Sequence, residues 1–203
     1  MAVSAALPNL LTAARLVAVP IVVWLLLADG GEDGALRWWA LAIFLVAAAT
    51  DYLDGYLARR WEVVSSFGKL ADPIADKALV LGTLACVGWV DGLPWWPLAI
   101  LVVREVGVTL GRLAVAGDTV IAASRGGKLK TVLQLAAITF YLWPHGPQWL
   151  EAIAWWCLVL AVVVTVVTGV DYARRIAAAA RHQRATRSHA PDAQEGPGAD
   201  ARR

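Results

Sequence analysis

An all-α protein that crosses a membrane several times is the fold class this sequence predicts. Three observations carry that expectation: the share of apolar residues, their grouping into six runs of about span length, and the placing of tryptophan and basic residues around those runs. Hydrophobic residues make up 59% of the 203 and the mean hydropathy is +0.60, above the apolar share of ordinary soluble domains.

The six runs cover residues 10–28, 38–58, 74–90, 95–115, 129–143 and 150–170. A helical span needs about 20 residues, with roughly 17–25 in use, so most qualify and the fifth is short. The first run is expected to be a retained helix rather than a signal peptide. Arg15 follows an apolar stretch instead of opening the chain, and no small-x-small cleavage site precedes Asp29. Trp is over-used, eleven against three Phe and four Tyr. Trp38, Trp39, Trp95, Trp96, Trp143 and Trp149 stand at run ends, where amphipathic rings sit at the membrane–water boundary.

The connections alternate in charge. Those at 28–37 and 91–94 are acidic and that at 144–148 is polar with two prolines, whereas 59–69, 125–130 and the stretch from Arg174 onward are basic. Lys and Arg favour the cytoplasmic side. This places the three basic segments and both termini in the cytoplasm, which agrees with six spans in a cytoplasmic (inner) membrane. Residues 1–176 are thus expected to form a six-helix transmembrane domain. Residues 177–203 are expected to form a basic, disordered tail, since they are polar and rich in Ala, Pro and Gly, with its arginines on anionic headgroups. A net charge of +2 gives no ground for a nucleic-acid partner. Cys86 and Cys157 lie in apolar runs without a CxxC pair, and His145, His182 and His189 form no ligand set, so zinc and disulfides are not expected.

The chemistry concentrates between Asp51 and Lys77. Asp51 and Asp54 are three apart, Asp72 and Asp76 four apart, so each pair shares one face of a helix. If the short basic loop between them reverses the chain, four carboxylates converge near one membrane surface. Uncompensated, they would repel one another and hold protons. Divalent cations relieve this, and an all-oxygen ligand set suits Mg²⁺ or Mn²⁺. Two such ions also suit a diphosphate undergoing in-line displacement. Gly55 removes a side chain where a nucleotide can approach, Gly68 does likewise or eases the turn, and Arg59 can fork onto phosphate oxygens. A single Asp at a helix end is ordinarily a solvated cap. Eight fixed residues at set spacing, however, arise by chance on the order of 10⁻¹⁰ per starting position.

The pattern Asp51-x2-Asp54-Gly55-x2-Ala58-Arg59-x8-Gly68-x3-Asp72-x3-Asp76 resembles the signature of the CDP-alcohol phosphatidyltransferase family, with every fixed position matched. The resemblance implies a six-helix membrane fold, usually dimeric, with the motif running from the end of the second helix into the third. It implies that Asp51, Asp54 and Asp72 chiefly bind two metal ions, that Asp76 is also the general base, and that residues from Gly55 to Arg59 line the CDP site. The opening Pro8-Asn9-Leu10-Leu11-Thr12-Ala13-Ala14-Arg15, the pieces Asp72-Pro73-Ile74-Ala75-Asp76-Lys77 and Arg104-Glu105, and Gly127-Lys128-Leu129-Lys130-Thr131 are similar to bacterial phosphatidylglycerophosphate synthases. By that resemblance Asn9 and Thr12 hydrogen-bond the cytidine; as plain sequence they are a helix cap and a first-turn residue.

Arg104 and Arg112 sit eight apart on one expected helix, about 80° around at ~100° per residue, and can share a face with Lys128 and Lys130. Converging cations suit a phosphate-bearing acceptor such as glycerol 3-phosphate. Snorkelling at the interface explains Lys128 and Lys130 equally well. Glu105 is either the ion-pair partner of Arg104 or a separate site residue. The leading expectation is therefore transfer of a phosphatidyl group from CDP-diacylglycerol to glycerol 3-phosphate. The rivals are another acceptor in the same family, namely phosphatidylglycerol (giving cardiolipin), inositol phosphate (giving a phosphatidylinositol phosphate) or serine, and, in a different class, a small cation-coupled transporter. A transporter would carry charges at the bilayer midplane and internal repeats, and this sequence has neither pattern.

Overall fold

In a computed structural model, the backbone is described for residues 6–61, 66–114 and 125–188, and the side chains for 10–51, 74–110 and 128–174. The described chain forms α1 (Ala6–Asp29), α2 (Ala35–Trp61), α3 (Ser66–Val90), α4 (Trp95–Ala114), α5 (Arg125–Leu142) and α6 (Gln148–Ser188). No strand occurs among the described residues. The helices alternate in direction. The ends of α1, α3 and α5 meet the starts of α2, α4 and α6 at one pole of the bundle, here the far end. The other pole, which holds Asp51, Asp76 and Glu105, is the site end.

The helix boundaries follow from local chemistry. α1 stops where Gly30 takes φ +61° and its N–H reaches the Leu26 carbonyl at 3.2 Å, a left-handed glycine ending the helix. The Asp29 side chain accepts from the backbone N–H groups of Asp33 (3.1 Å) and Gly34 (2.9 Å), which closes the turn into α2. Gly92 at φ +70° turns the chain between α3 and α4, and Pro147 precedes α6, whose first turn opens with Leu150 N–H on the Pro147 carbonyl. α6 continues through the Ala-rich stretch to Ser188, past the boundary at 176 expected from composition. Alanine and arginine are both strong helix formers, and polarity alone does not end a helix.

Packing is between small and branched side chains. α1 packs on α2 and α3, α6 on α5 and α4, and contacts of α2 and α3 with α5 join the two halves. Val22, Phe44, Leu84, Leu101, Ile138, Leu142 and Leu158 are essentially inaccessible. The outward faces are just as apolar: Val17, Trp24, Val46, Val103, Leu110, Val132, Leu160 and Val167 are exposed. Apolar residues inside and out mark a bundle whose solvent is lipid. Among the described residues, two stretches qualify as spans by length and hydropathy alone, Leu10–Asp29 and Gln148–Arg174, with mean hydropathies of 2.3 and 2.4.

The far end is held by Arg37, whose side chain is 5% exposed. Its guanidinium forks onto Asp91 at 2.8 and 2.5 Å, donates to the Tyr141 carbonyl at 2.8 Å and lies 3.1 Å from Asp33. One side chain thereby ties together the start of α2, the α3–α4 turn and the end of α5. Trp38 and Trp143 meet edge to face beside it, ring centres 5.6 Å apart.

Candidate active site

At the site end, α1 contributes Thr12 and Arg15, each 1% exposed. Arg15 is enclosed because Ala14, Ala18, Ala42 and Ala47 leave the helices close together, with an apolar cleft of about 280 Å³ alongside between α1 and α2. The Arg15 guanidinium reaches Asp51 of α2 at 2.5 Å, and the Asp51 side chain keeps 41% exposure. A carboxylate offers about four lone-pair sites, so it can take an arginine on one side and a metal on the other. The enclosed arginine stabilises the charge on Asp51.

All four aspartate positions are helical, Asp51 and Asp54 in α2, Asp72 and Asp76 in α3. The three- and four-residue spacings therefore place each pair on one helix face. Asp76 is partly buried and lies within electrostatic range of Asp51, Arg15, Lys130 and Glu105. Among residues with described side chains, no group of three or more His, Cys, Asp or Glu converges. Asp54, Gly55, Ala58, Arg59, Gly68 and Asp72, as well as Asn9 and Arg112, have described backbone but lie outside the described side chains. What the structure offers a metal is a hard oxygen from α2 and another from the facing α3, one of them backed by a buried cation. That donor chemistry fits Mg²⁺ or Mn²⁺.

Beside Asp76 stands a second polar centre that sequence reading left open. Glu105 of α4 has a side chain 12% exposed. Its Oε1 accepts from Arg104 Nη1 at 2.8 Å and from Lys130 Nζ of α5 in a very short contact, and Lys77 Nζ of α3 lies 3.6 Å from its Oε2. Lys77 also donates to the Thr109 hydroxyl at 2.8 Å, one helical turn beyond Glu105. Arg104 lies against α6, where its Nη2 approaches the Thr168 hydroxyl at 3.5 Å and its stem covers Gly169. Of the four cations expected to converge, Arg104 and Lys130 do meet. Lys128, two residues from Lys130, is exposed, as a 200° step around the helix requires. Lys77, Thr109 and Thr168 were not read as site residues. The signal available for Lys77 was its charge next to Asp76 at the start of an apolar run.

The family model for CDP-alcohol phosphatidyltransferases matches residues 5–167. The chain belongs to the CDP-alcohol phosphatidyltransferase family. Within it, a Mycobacterium tuberculosis protein named "probable phosphatidylglycerophosphate synthase" is 44% identical over 170 residues, covering 83% of this chain and 80% of that one. A CDP-diacylglycerol–glycerol-3-phosphate 3-phosphatidyltransferase of Bacillus subtilis is 38% identical over 178 residues, covering 82% and 92%. A Streptomyces coelicolor cardiolipin synthase (CMP-forming) is 36% identical over 174 residues, covering 77% and 81%. This phosphatidyltransferase thus has relatives that carry different enzyme names.

Proposed function

We propose that the protein transfers the phosphatidyl group of CDP-diacylglycerol to sn-glycerol 3-phosphate, giving phosphatidylglycerophosphate and CMP. The observation that carries the choice of acceptor is the meeting of Arg104, Lys130 and Lys77 beside Asp76. A nucleophile with its own phosphate needs an anchor within a few ångströms of the base, and three cations from three helices supply one. The names of the M. tuberculosis and B. subtilis relatives point the same way.

In this reading Asp51, Asp54, Asp72 and Asp76 hold two divalent ions, which when bound neutralise the donor's diphosphate and the charge that develops on it. The chain's own residues orient the reactants. Arg15 fixes the Asp51 carboxylate; Asn9, Thr12, Gly55, Ala58, Arg59 and Gly68 receive the CDP moiety; and the apolar cleft between α1 and α2 lies beside them for an acyl chain. Asp76 takes the proton of the acceptor's hydroxyl as its oxygen attacks the β-phosphorus. The new P–O bond forms as the anhydride bond breaks, and CMP departs from the opposite side. Arg104, Lys130 and Lys77 receive the acceptor's phosphate, joined by Arg112 further along α4; Lys128, which is exposed, stays outside the anchor. The enzyme sits in the cytoplasmic membrane as six spans and a homodimer, with its site and both termini on the cytoplasmic side.

The test is CMP release by the purified protein with CDP-diacylglycerol and each of glycerol 3-phosphate, phosphatidylglycerol and inositol phosphate. Turnover with glycerol 3-phosphate is expected. A protein that ignores it and uses phosphatidylglycerol, as the name of the S. coelicolor relative would suggest, keeps the family and overturns the acceptor.

A further inference from the structure

We infer that Glu105 is a positioning residue for the acceptor: it gathers Lys77, Arg104 and Lys130 into one cationic anchor and holds them off Asp76. The inference rests on the proposed phosphate-bearing acceptor. Its first support is charge. A carboxylate inside a lipid-facing bundle is costly alone and is normally balanced by one cation. Here α3, α4 and α5 deliver three to the same carboxylate, whose two oxygens are both engaged. The cluster carries a surplus of two positive charges. A phosphate monoester at neutral pH carries between one and two negative charges, its second pKa being about 6, and answers that surplus. A structural ion pair would be complete with Arg104 alone.

The second support is geometry. Glu105 and Thr109 lie one turn apart on the same face of α4, and together they fix Lys77, one residue beyond Asp76 in α3. Thr109 is itself held, its hydroxyl donating back to the Glu105 carbonyl at 2.8 Å. Lys130 is 10% exposed, and its charge reaches both Glu105 and Asp76. Without Glu105 the three cations repel one another, and Asp76 becomes a competing partner for Lys130. That would disperse the anchor and engage the base in an ion pair.

The experiment compares wild type, Glu105→Gln, Glu105→Asp and Lys77→Met as full-length protein in mixed micelles, measuring CMP release with each substrate varied at saturating levels of the other. Glu105→Gln and Lys77→Met should raise the KM for glycerol 3-phosphate about tenfold or more, the scale of one charge-assisted bond to phosphate. The KM for CDP-diacylglycerol should stay within about twofold. Glu105→Asp keeps the charge on a shorter stem and should fall between wild type and Gln, which preserves the test if Gln impairs folding. An unchanged acceptor KM, a lowered one, or equal changes for both substrates would overturn the inference. Wild type that is inert with glycerol 3-phosphate would overturn the acceptor reading instead, so the two failures are distinct.

Discussion

Replacing Arg37 with Ala should destabilise the bundle without touching its chemistry. The guanidinium is 5% exposed and meets Asp91 twice, Asp33 once and the Tyr141 carbonyl once. Asp29, 2% exposed, lies 3.9 Å away. Truncation would leave the Asp29 and Asp91 charges poorly compensated and the carbonyl without its donor. Breaking a buried pair from one side costs about 3–5 kcal/mol. Asp91 and Asp33 keep 23% and 38% exposure, so water screens part of the loss, and the lower bound, about 3 kcal/mol, is the reasoned figure. For a chain of this size each kcal/mol moves Tm by about 2–4 °C, which gives a fall of roughly 6–12 °C. Cys86, 8% exposed, provides the assay once the half-buried Cys157 is replaced by Ser: a thiol-reactive fluorophore reports its uncovering during heating in detergent, at one fixed scan rate because such unfolding is seldom reversible. Arg37→Lys keeps the charge but not the fork and should lose about half as much. Below the transition, turnover by Arg37→Ala should match wild type. A Tm within about 2 °C of wild type would show that the far-end ion pairs are incidental.

Chelation by excess EDTA should abolish CMP release, and Mg²⁺ or Mn²⁺ should restore it; undiminished turnover in EDTA would remove the metal assignment. Asp76→Asn should lower kcat by about 10²–10⁴-fold, the usual worth of a general base, while binding of the CDP-lipid, measured by titration calorimetry, persists. Near-normal kcat would mean that another group takes the proton. A Cβ at Gly169 would stand 3.3 Å from Arg104 Cγ, whereas one at Gly82 would meet Val19 and Val23 at an ordinary 3.8 Å. Gly169→Val should therefore raise the KM for the acceptor several-fold, with Gly169→Ala milder and Gly82→Ala silent. Equal responses at the two glycines would detach Arg104 from acceptor binding.

What could be read from the sequence divides along a physical line. Helices and their limits were legible because apolar run length, Pro and Gly are local signals: the run at 95–115 became α4 (Trp95–Ala114) and that at 129–143 became the body of α5. The aspartate pairs were legible because their spacing needs only helical backbone. Pairings between helices were not. Nothing local says that Lys77, Arg104 and Lys130 share Glu105, since that depends on how α3, α4 and α5 rotate against one another. Lys128 and Lys130 read as equivalent in the sequence and differ in burial because one faces the bundle and the other does not. α6 runs on to Ser188, past residue 176 where polarity alone placed the start of the tail, because alanine favours helix whatever its neighbours' polarity.

The tryptophans described at the far end carry an optical consequence. Ten of the eleven, all except Trp61, fall in the far-end halves of their helices or the turns between them, and Trp24, Trp39, Trp89, Trp149 and Trp156 are widely exposed. Intrinsic emission from this protein is therefore weighted almost wholly toward one interface. A denaturation trace followed by tryptophan would register loosening around Arg37 first. A titration with nucleotide or acceptor at the opposite pole would leave the same signal nearly flat, however tight the binding. Spectroscopic affinity measurements need a fluorophore introduced at the carboxylate pole, or Trp61 observed in a variant stripped of the other ten.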